Sequence, residues 1–429
     1  MATALSWLGS YGASVIMLSA TLPESKREEY MRAYRRGASA VHAIEAFPTS
    51  QPAMNNDFGN PIVPGFQESK SPTEKGWRYP LISSVTADGE STTSAEPSGR
   101  SSRVELTMLD DDDATLVQKL KQQLQDGGAA VVIRNTVSRA QHTYDVLKEE
   151  FGNDMDVMLD HSRFLACDRA SKDEDLIKRF GKSSGPEQRN AIVVATQVVE
   201  QSLDVDFDVM ISDIAPVDLL LQRMGRLHRH HRGQDEGERP ESLRQARLYI
   251  TGIEQCSPAS PPLFATGIES VYQRFFLMRT MAILNIAPGE TTMVITPDDI
   301  PRLVQTVYDT EHLTCPAAWE RETTGERAAR DAMLEVRKNS ESTAGQFGIF
   351  PSWYEKRPFS LGSWLNLDIP DPDGSNNSQS RKSRASVREG DDTFEVLVLQ
   401  QDDQVTIPSR NLPSVVFSSP SCMARSDIP

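Results

Sequence analysis

Cysteine is scarce in this chain of 429 residues: it has four, Cys167, Cys256, Cys315 and Cys422, far apart and without a CxxC or Cys/His pairing. That argues against a disulfide framework or a zinc site and fits a reducing, cytoplasmic setting. No apolar run approaches the roughly 20 residues that span a bilayer. No basic stretch followed by an apolar core opens the sequence, so neither membrane span nor signal peptide is expected. Positive charge is in deficit, with 61 Asp and Glu against 45 Lys and Arg and a net charge of −16. A nucleic-acid partner survives that deficit, because phosphate binding answers to the local field over about 10 Å rather than to the average. Also absent are GxxxxGK[ST] and an apolar strand ending in Asp-Glu-x-His. The "GKSS" at 181–184 lacks the required glycine five residues earlier, where Leu176 stands, and it follows a helix rather than a strand. It is not a phosphate-binding P-loop.

Hydrophobic residues make up 38% of the chain and charged residues 25%, enough for a real core and two or three domains. "ASVIMLSATLP" (13–23) predicts a buried strand almost at the start, as though earlier strands preceded it. "ESKREEYMRAYRRG" predicts a polar helix stopped at Gly37. "WRYPLISSV" (77–85) suits a strand and the Ser/Thr-rich 86–102 a flexible loop.

From 104 to 252 short apolar strands alternate with helices: "RVELTML", "DDDATLVQKLKQQLQDGG", "AAVVIRN", "SRAQHTYDVLKEEFG", "DVMLD", "DRASKDEDLIKRFG", "NAIVVAT", "FDVMIS", "VDLLLQRMGRL", "ARLYIT". That alternation predicts an α/β fold with a parallel sheet covered by helices. The acids Asp110–Asp113 precede a helix and suit its N-terminus. Residues 263–340 look mostly helical. A small mixed domain follows, with a strand at "TFEVLVLQ" (393–400) and a disordered loop over 370–386.

In parallel sheets ligands bind beyond the carboxyl ends of the strands. The polar residues there are Ser19 and Thr21, then Arg134-Asn135-Thr136, Asp160-His161-Ser162-Arg163, and Thr196 to Asp206. "PVDLLLQRMGRLHRHHR" (216–232) adds a concentrated cationic cluster. Continued as a helix, it would align Arg223, Arg226 and Arg229 on one edge, a fork suited to phosphate. Gly225 would admit another backbone, and His230, His231 and Arg232 would form a solvated end. The bland alternative is a basic helix terminus favoured by the macrodipole. Ser19, Thr21 and Thr196 could likewise be turn caps.

"SAT", "TQVVEQSLDVDFD" and "QRMGRLHR" occur in the order of motifs III, V and VI of superfamily 2 helicases. With "YPLIS", "HSRF" and "VREGDDTFEVLVLQ", the sequence resembles the CRISPR-associated helicase–nuclease of type I systems, in its C-terminal half. The resemblance is sharp over 13–23 and 129–232. It implies a RecA-like sheet and this division: 1–48, tail of a first RecA-like lobe; 49–102, linker or insertion; 103–254, second lobe; 255–340, helical linker; 341–429, accessory domain.

By the same resemblance Arg226 and Arg229 would be arginine fingers on an ATP γ-phosphate, and Ser19 and Thr21 would couple hydrolysis to movement. Gln201 and Asp204 would lie near the nucleotide, and Gln222 and Arg223 would hold the cleft. Thr196, Arg163 and Thr136 would lie on the nucleic-acid side. The implied cofactors are ATP and Mg²⁺, the metal held by a P-loop lobe outside this chain; no metal site is expected here. The implied partners are single-stranded DNA, a crRNA-guided surveillance complex and the N-terminal motor and nuclease portion. Another superfamily 2 helicase, or a non-catalytic nucleic-acid-binding relic, remains open.

Overall fold

A computed structural model describes residues 1–45, 79–86, 89–96, 98–200 and 203–346. The chain divides into two units, Met1–Gly374 and Ser375–Pro429, and every described residue belongs to the first. The strand expected at 393–400, the loop at 370–386 and most of the expected accessory domain lie outside the described residues.

Helices α1 (Ala2–Ser10) and α2 (Glu24–Glu45) pack together. Gly37 does not stop α2. It lies where a Cβ would strike the Ser6 backbone, so the missing side chain lets the helices cross closely. Between them, 13–23 is not a strand: Ile16 is 87% and Leu18 93% exposed. A strand exists only with a hydrogen-bonded neighbour, and none of the described strands runs beside this segment. The expected loop at 86–102 also yields, because β1 (Leu81–Val85) and β2 (Glu90–Ser94) form an antiparallel hairpin.

The alternating region folds as read. The order is β3 (Ser102–Met108), α3 (Asp113–Gln123), β4 (Ala129–Ile133), α4 (Val137–Phe151), β5 (Asp156–Asp160), α5 (Ala166–Phe180), β6 (Ala191–Ala195), β7 (Val209–Asp213), α6 (Val217–Met224) and β8 (Arg247–Thr251). Asp112 caps α3, its carboxylate accepting from the Thr115 amide at 2.8 Å. Gly152 closes α4.

The segment expected as a helical linker contributes strands as well: the hairpin β9 (Ile253–Ser257) and β10 (Ser260–Phe264), then α7 (Ile268–Val271), α8 (Arg274–Ile283), β11 (Thr291–Thr296), α9 (Ile300–Tyr308) and α10 (Glu326–Gln346). The seven-stranded sheet has the order β11-β3-β8-β7-β4-β6-β5, parallel throughout except for β11. Its central strands are apolar on both faces because both are covered. Ala129, Val131 and Ile133 face a core built with α5, α6, α8 and α9, while Ala130 and Val132 face α3 and α4. The chain order reverses at β4, which lies between β6 and β7, so the strand ends around it form the crevice where α/β sheets bind ligands.

Candidate nucleotide and nucleic-acid site

Around β4 the strand ends carry a buried ion network. Asp213, at the end of β7, is fully buried and receives Arg134 at 2.8 Å, Arg139 at 2.9 and 3.0 Å, the Thr251 hydroxyl at 3.1 Å and the Asn135 amide at 2.9 Å. Burial alone would push its carboxyl up. The charges of Arg134 and Arg139 and their hydrogen bonds overcome that and hold it at about 2. Asp111 shares Arg139 at 2.8 Å, so one of the four leading acids pairs with arginines rather than serving the helix start.

Arg223 is the most enclosed of the cationic cluster, with no exposed surface. It donates to Glu200 at 2.7 Å through Nε, to the Ser212 hydroxyl at 2.6 Å and to the Asp213 carbonyl at 2.8 Å. Longer bonds reach Asn135 Oδ1 at 3.3 Å and the Tyr272 hydroxyl at 3.4 Å. Burial raises the Glu200 carboxyl and Arg223 opposes the rise. Tyr272 sits in the break between α7 and α8, within the stretch expected to be mostly helical, and its hydroxyl also accepts from Gln197 at 3.2 Å.

The three arginines do not share a helix edge. Helix α6 ends at Met224, and Gly225 caps it with ordinary right-handed angles; a Cβ there would meet only the carbonyl of its own turn, at 3.2 Å. Arg226 and Arg229 therefore leave helical register. What they share instead is a target. Arg223 takes the Glu200 side chain, and Arg226 donates to the Val199 carbonyl at 3.3 Å and the Glu200 carbonyl at 2.8 Å. Arg229 pairs with Asp204. All three thus grip Val199, Glu200 or Asp204, close together in the chain. Arg232 is not part of a solvated end: it is 4% exposed, binds Asp206 at 2.8 Å and reaches the Gly181 and Ser184 carbonyls. The "GKSS" turn thus presents carbonyls to a cation, the opposite of a phosphate cradle.

The remaining candidates scatter. Thr196 is 3% exposed and, with Ser162, Arg169, Asp173 and Gln197, lines an open depression of about 280 Å³ at the ends of β5 and β6. Arg163 is exposed in the turn after β5. Thr136 caps α4, its hydroxyl accepting from the Arg139 amide at 3.3 Å. Thr136→Ala is expected to cost about 1 kcal/mol, measured as a lowered urea midpoint, and Thr136→Ser to keep most of it. Gln222 is half-buried on α6. Gln201 lies outside the described residues. Ser19 and Thr21 bond to each other at 3.3 Å, and no described interaction brings them to the arginines.

Residues 126–232 match the family described as CRISPR-associated nuclease/helicase Cas3, C-terminal. A Streptococcus thermophilus protein of that name is 33% identical over 406 residues, covering 93% of this chain and 38% of the relative. A solved structure of T. fusca Cas3 with ATP superposes with a TM-score of 0.58 at 29% identity, covering 80% of this chain and 36% of that one. A CRISPR RNA-guided surveillance complex in a pre-nicking state contains a chain matching with a TM-score of 0.58 at 29% identity, over 80% of this chain and 38% of its own. The chain is similar to Cas3 nuclease/helicases, and its residues 126–232 carry their C-terminal domain. It spans less than half the length of the curated relative it matches. The parallel sheet is accordingly RecA-like.

A second network in this Cas3-like core has no sequence signature. At the amino ends of β4 and β7, Asp206 and Asp208 are buried with Arg189, Arg232 and Arg239. Asp208 accepts from Arg189 and from the Ala129 amide, both at 2.7 Å, and Arg239 spans both aspartates. Its arginine–aspartate pairs lie up to 33 residues apart and its Ala129–Asp208 bond spans 79, and no short motif reports such pairs. Its position opposite the strand-end crevice marks it as structural. Among the described residues no group of three or more His, Cys, Asp and Glu is placed to hold a metal.

Proposed function

We propose that this chain is the second motor lobe of an ATP-dependent single-strand DNA translocase in Cas3-type CRISPR antiviral defence. One observation carries the reading: three arginines converge on Val199, Glu200 and Asp204, which follow the strand end that holds Thr196. A phosphate drawn to the arginines and a DNA phosphate bound at Thr196 would pull on the two ends of one short segment. That is a mechanical basis for coupling hydrolysis to movement.

The donor set fits a phosphate. Arg229 and Asp204 are 39% and 56% exposed, and such a surface pair is worth about 0–1 kcal/mol, so Arg229 can exchange its carboxylate for a γ-phosphate oxygen. Arg226 keeps the Val199 and Glu200 carbonyls. Bound ATP supplies the phosphoryl group, and a lobe with a P-loop lysine and Mg²⁺ supplies the rest of the charge. The P-loop motif is absent from this sequence, and among the described residues no set fits the metal. Arg223 positions Glu200, while Thr196, Arg163 and Thr136 serve the DNA side. The match to a chain in a solved surveillance complex supports a crRNA-guided complex as the recruiting partner.

Purified, this chain is expected to show no DNA-stimulated ATP turnover above an Arg226→Ala control. Turnover above that control would overturn the division of the ATP site between two lobes. Its affinity for single-stranded DNA should fall steeply with salt and weaken in Thr196→Ala. A flat salt response would sink the nucleic-acid reading.

A further inference from the structure

We propose that Asp160 limits the grip of the nucleic-acid site: its carboxylate, buried beside the phosphate-facing strand ends, holds affinity down while ionised, and its neutralisation tightens binding. The inference rests on the nucleic-acid reading above and concerns the regulation of that site.

Asp160 ends β5 and is 2% exposed, yet neither carboxylate oxygen has a hydrogen-bond partner. A buried, unpartnered carboxylate is rare because ionisation there is uncompensated. Its backbone carbonyl accepts from the Thr196 amide at 3.1 Å, so the main chain of Asp160 adjoins the strand end that carries the threonine of the depression.

The charges bearing on it come from α5: Asp173, Lys172 and Arg169, of which Asp173 and Arg169 line the depression. Lys172 is the cation that could neutralise it, but its ammonium donates to the Leu159 carbonyl at 2.9 Å and lies 4.3 Å over the Phe164 ring. In the following turn Arg163 is exposed and His161 stacks on Phe164 at 4.2 Å. Neither β6 nor α4 brings a charged side chain to bear among the described residues.

Burial and Asp173 together push Asp160 up to about 6 against Lys172 and Arg169. Burial, Lys172 and Arg163 push His161 below its ordinary range, so it supplies no compensating charge near neutrality. At neutral pH the site therefore keeps a negative charge where a phosphate must approach. A translocating lobe gains from this, because a strand held too tightly does not advance.

The test is fluorescence anisotropy of a labelled oligothymidylate with the full chain, at fixed salt, from about pH 5.5 to about pH 8. Wild type should bind roughly 5- to 10-fold tighter at the acid end, the order expected for one unit charge at short range in a partly screened medium. Asp160→Asn should bind that tightly throughout and lose the pH step, while His161→Gln keeps it. The Asn variant should also melt higher than wild type above about pH 6 and equally near pH 4, because it removes an orphan charge. An unchanged affinity and pH step in Asp160→Asn, with Thr196→Ala weakened, overturns the proposal and leaves the DNA site standing. A stability gain without a change in affinity overturns it too. If Thr196→Ala and salt both leave binding unchanged, the nucleic-acid reading fails and takes this inference with it.

Discussion

Arg223→Ala is expected to remove about 3–5 kcal/mol of stability, the cost of leaving a buried charge and its hydrogen-bond partners unpaired. Glu200, at 1% side-chain exposure, would lose its ion-pair partner. The Ser212 hydroxyl and the Asp213 carbonyl would lose their donor, and Asn135 and Tyr272 a weaker one. Against a domain stability of about 5–15 kcal/mol, such a loss moves the urea midpoint far or prevents folding. Arg226→Ala is the contrasting case: its guanidinium binds two carbonyls at a half-exposed site, so the expected loss is about 1 kcal/mol. The double variant Glu200→Leu with Arg223→Met should recover much of the deficit, because an apolar pair of similar volume escapes the desolvation that the ion pair must overcome. Equal midpoints for Arg223→Ala and Arg226→Ala would show that the two arginines have the same role.

How much of this was legible follows from which interactions are local. The strands β4, β6 and β7 could be read because covered parallel strands must be apolar on both faces. The crevice could be read because strand ends in such sheets hold the ligand side, which singled out Arg134, Asn135 and Thr196. The arginine edge misled because helical spacing was carried past Gly225, a residue that caps α6. The grip on Val199, Glu200 and Asp204 is made by tertiary contacts, which no spacing encodes. Segment 13–23 has a strand's composition without a strand's neighbour. Strand β11 was folded into a helical expectation because its pairing partner, β3, lies nearly two hundred residues earlier.

Asp213 should give the sharpest acid signature. Its folded carboxyl is held at about 2, below the 3.8 of an unperturbed aspartate. A depressed carboxyl contributes stability above the unfolded value and loses it as pH falls through the folded one. That contribution is about 2 kcal/mol, present at neutral pH and fading from about pH 4 toward pH 2. Asp213→Asn should lower neutral-pH stability by more, about 3 kcal/mol, because Arg134 and Arg139 are then left with Asp111 alone. The difference between wild type and variant, followed by urea unfolding, should therefore be largest above pH 4 and shrink below it. A difference that stays constant to pH 2.5 would place the stabilising effect in shape rather than charge. The carboxyl-end network would then be a packing feature, and its arginines would no longer count as fixed by Asp213. The placement of Asn135 beside Arg223 depends on that fixing, so the outcome also bears on how the motor lobe holds its arginine cluster.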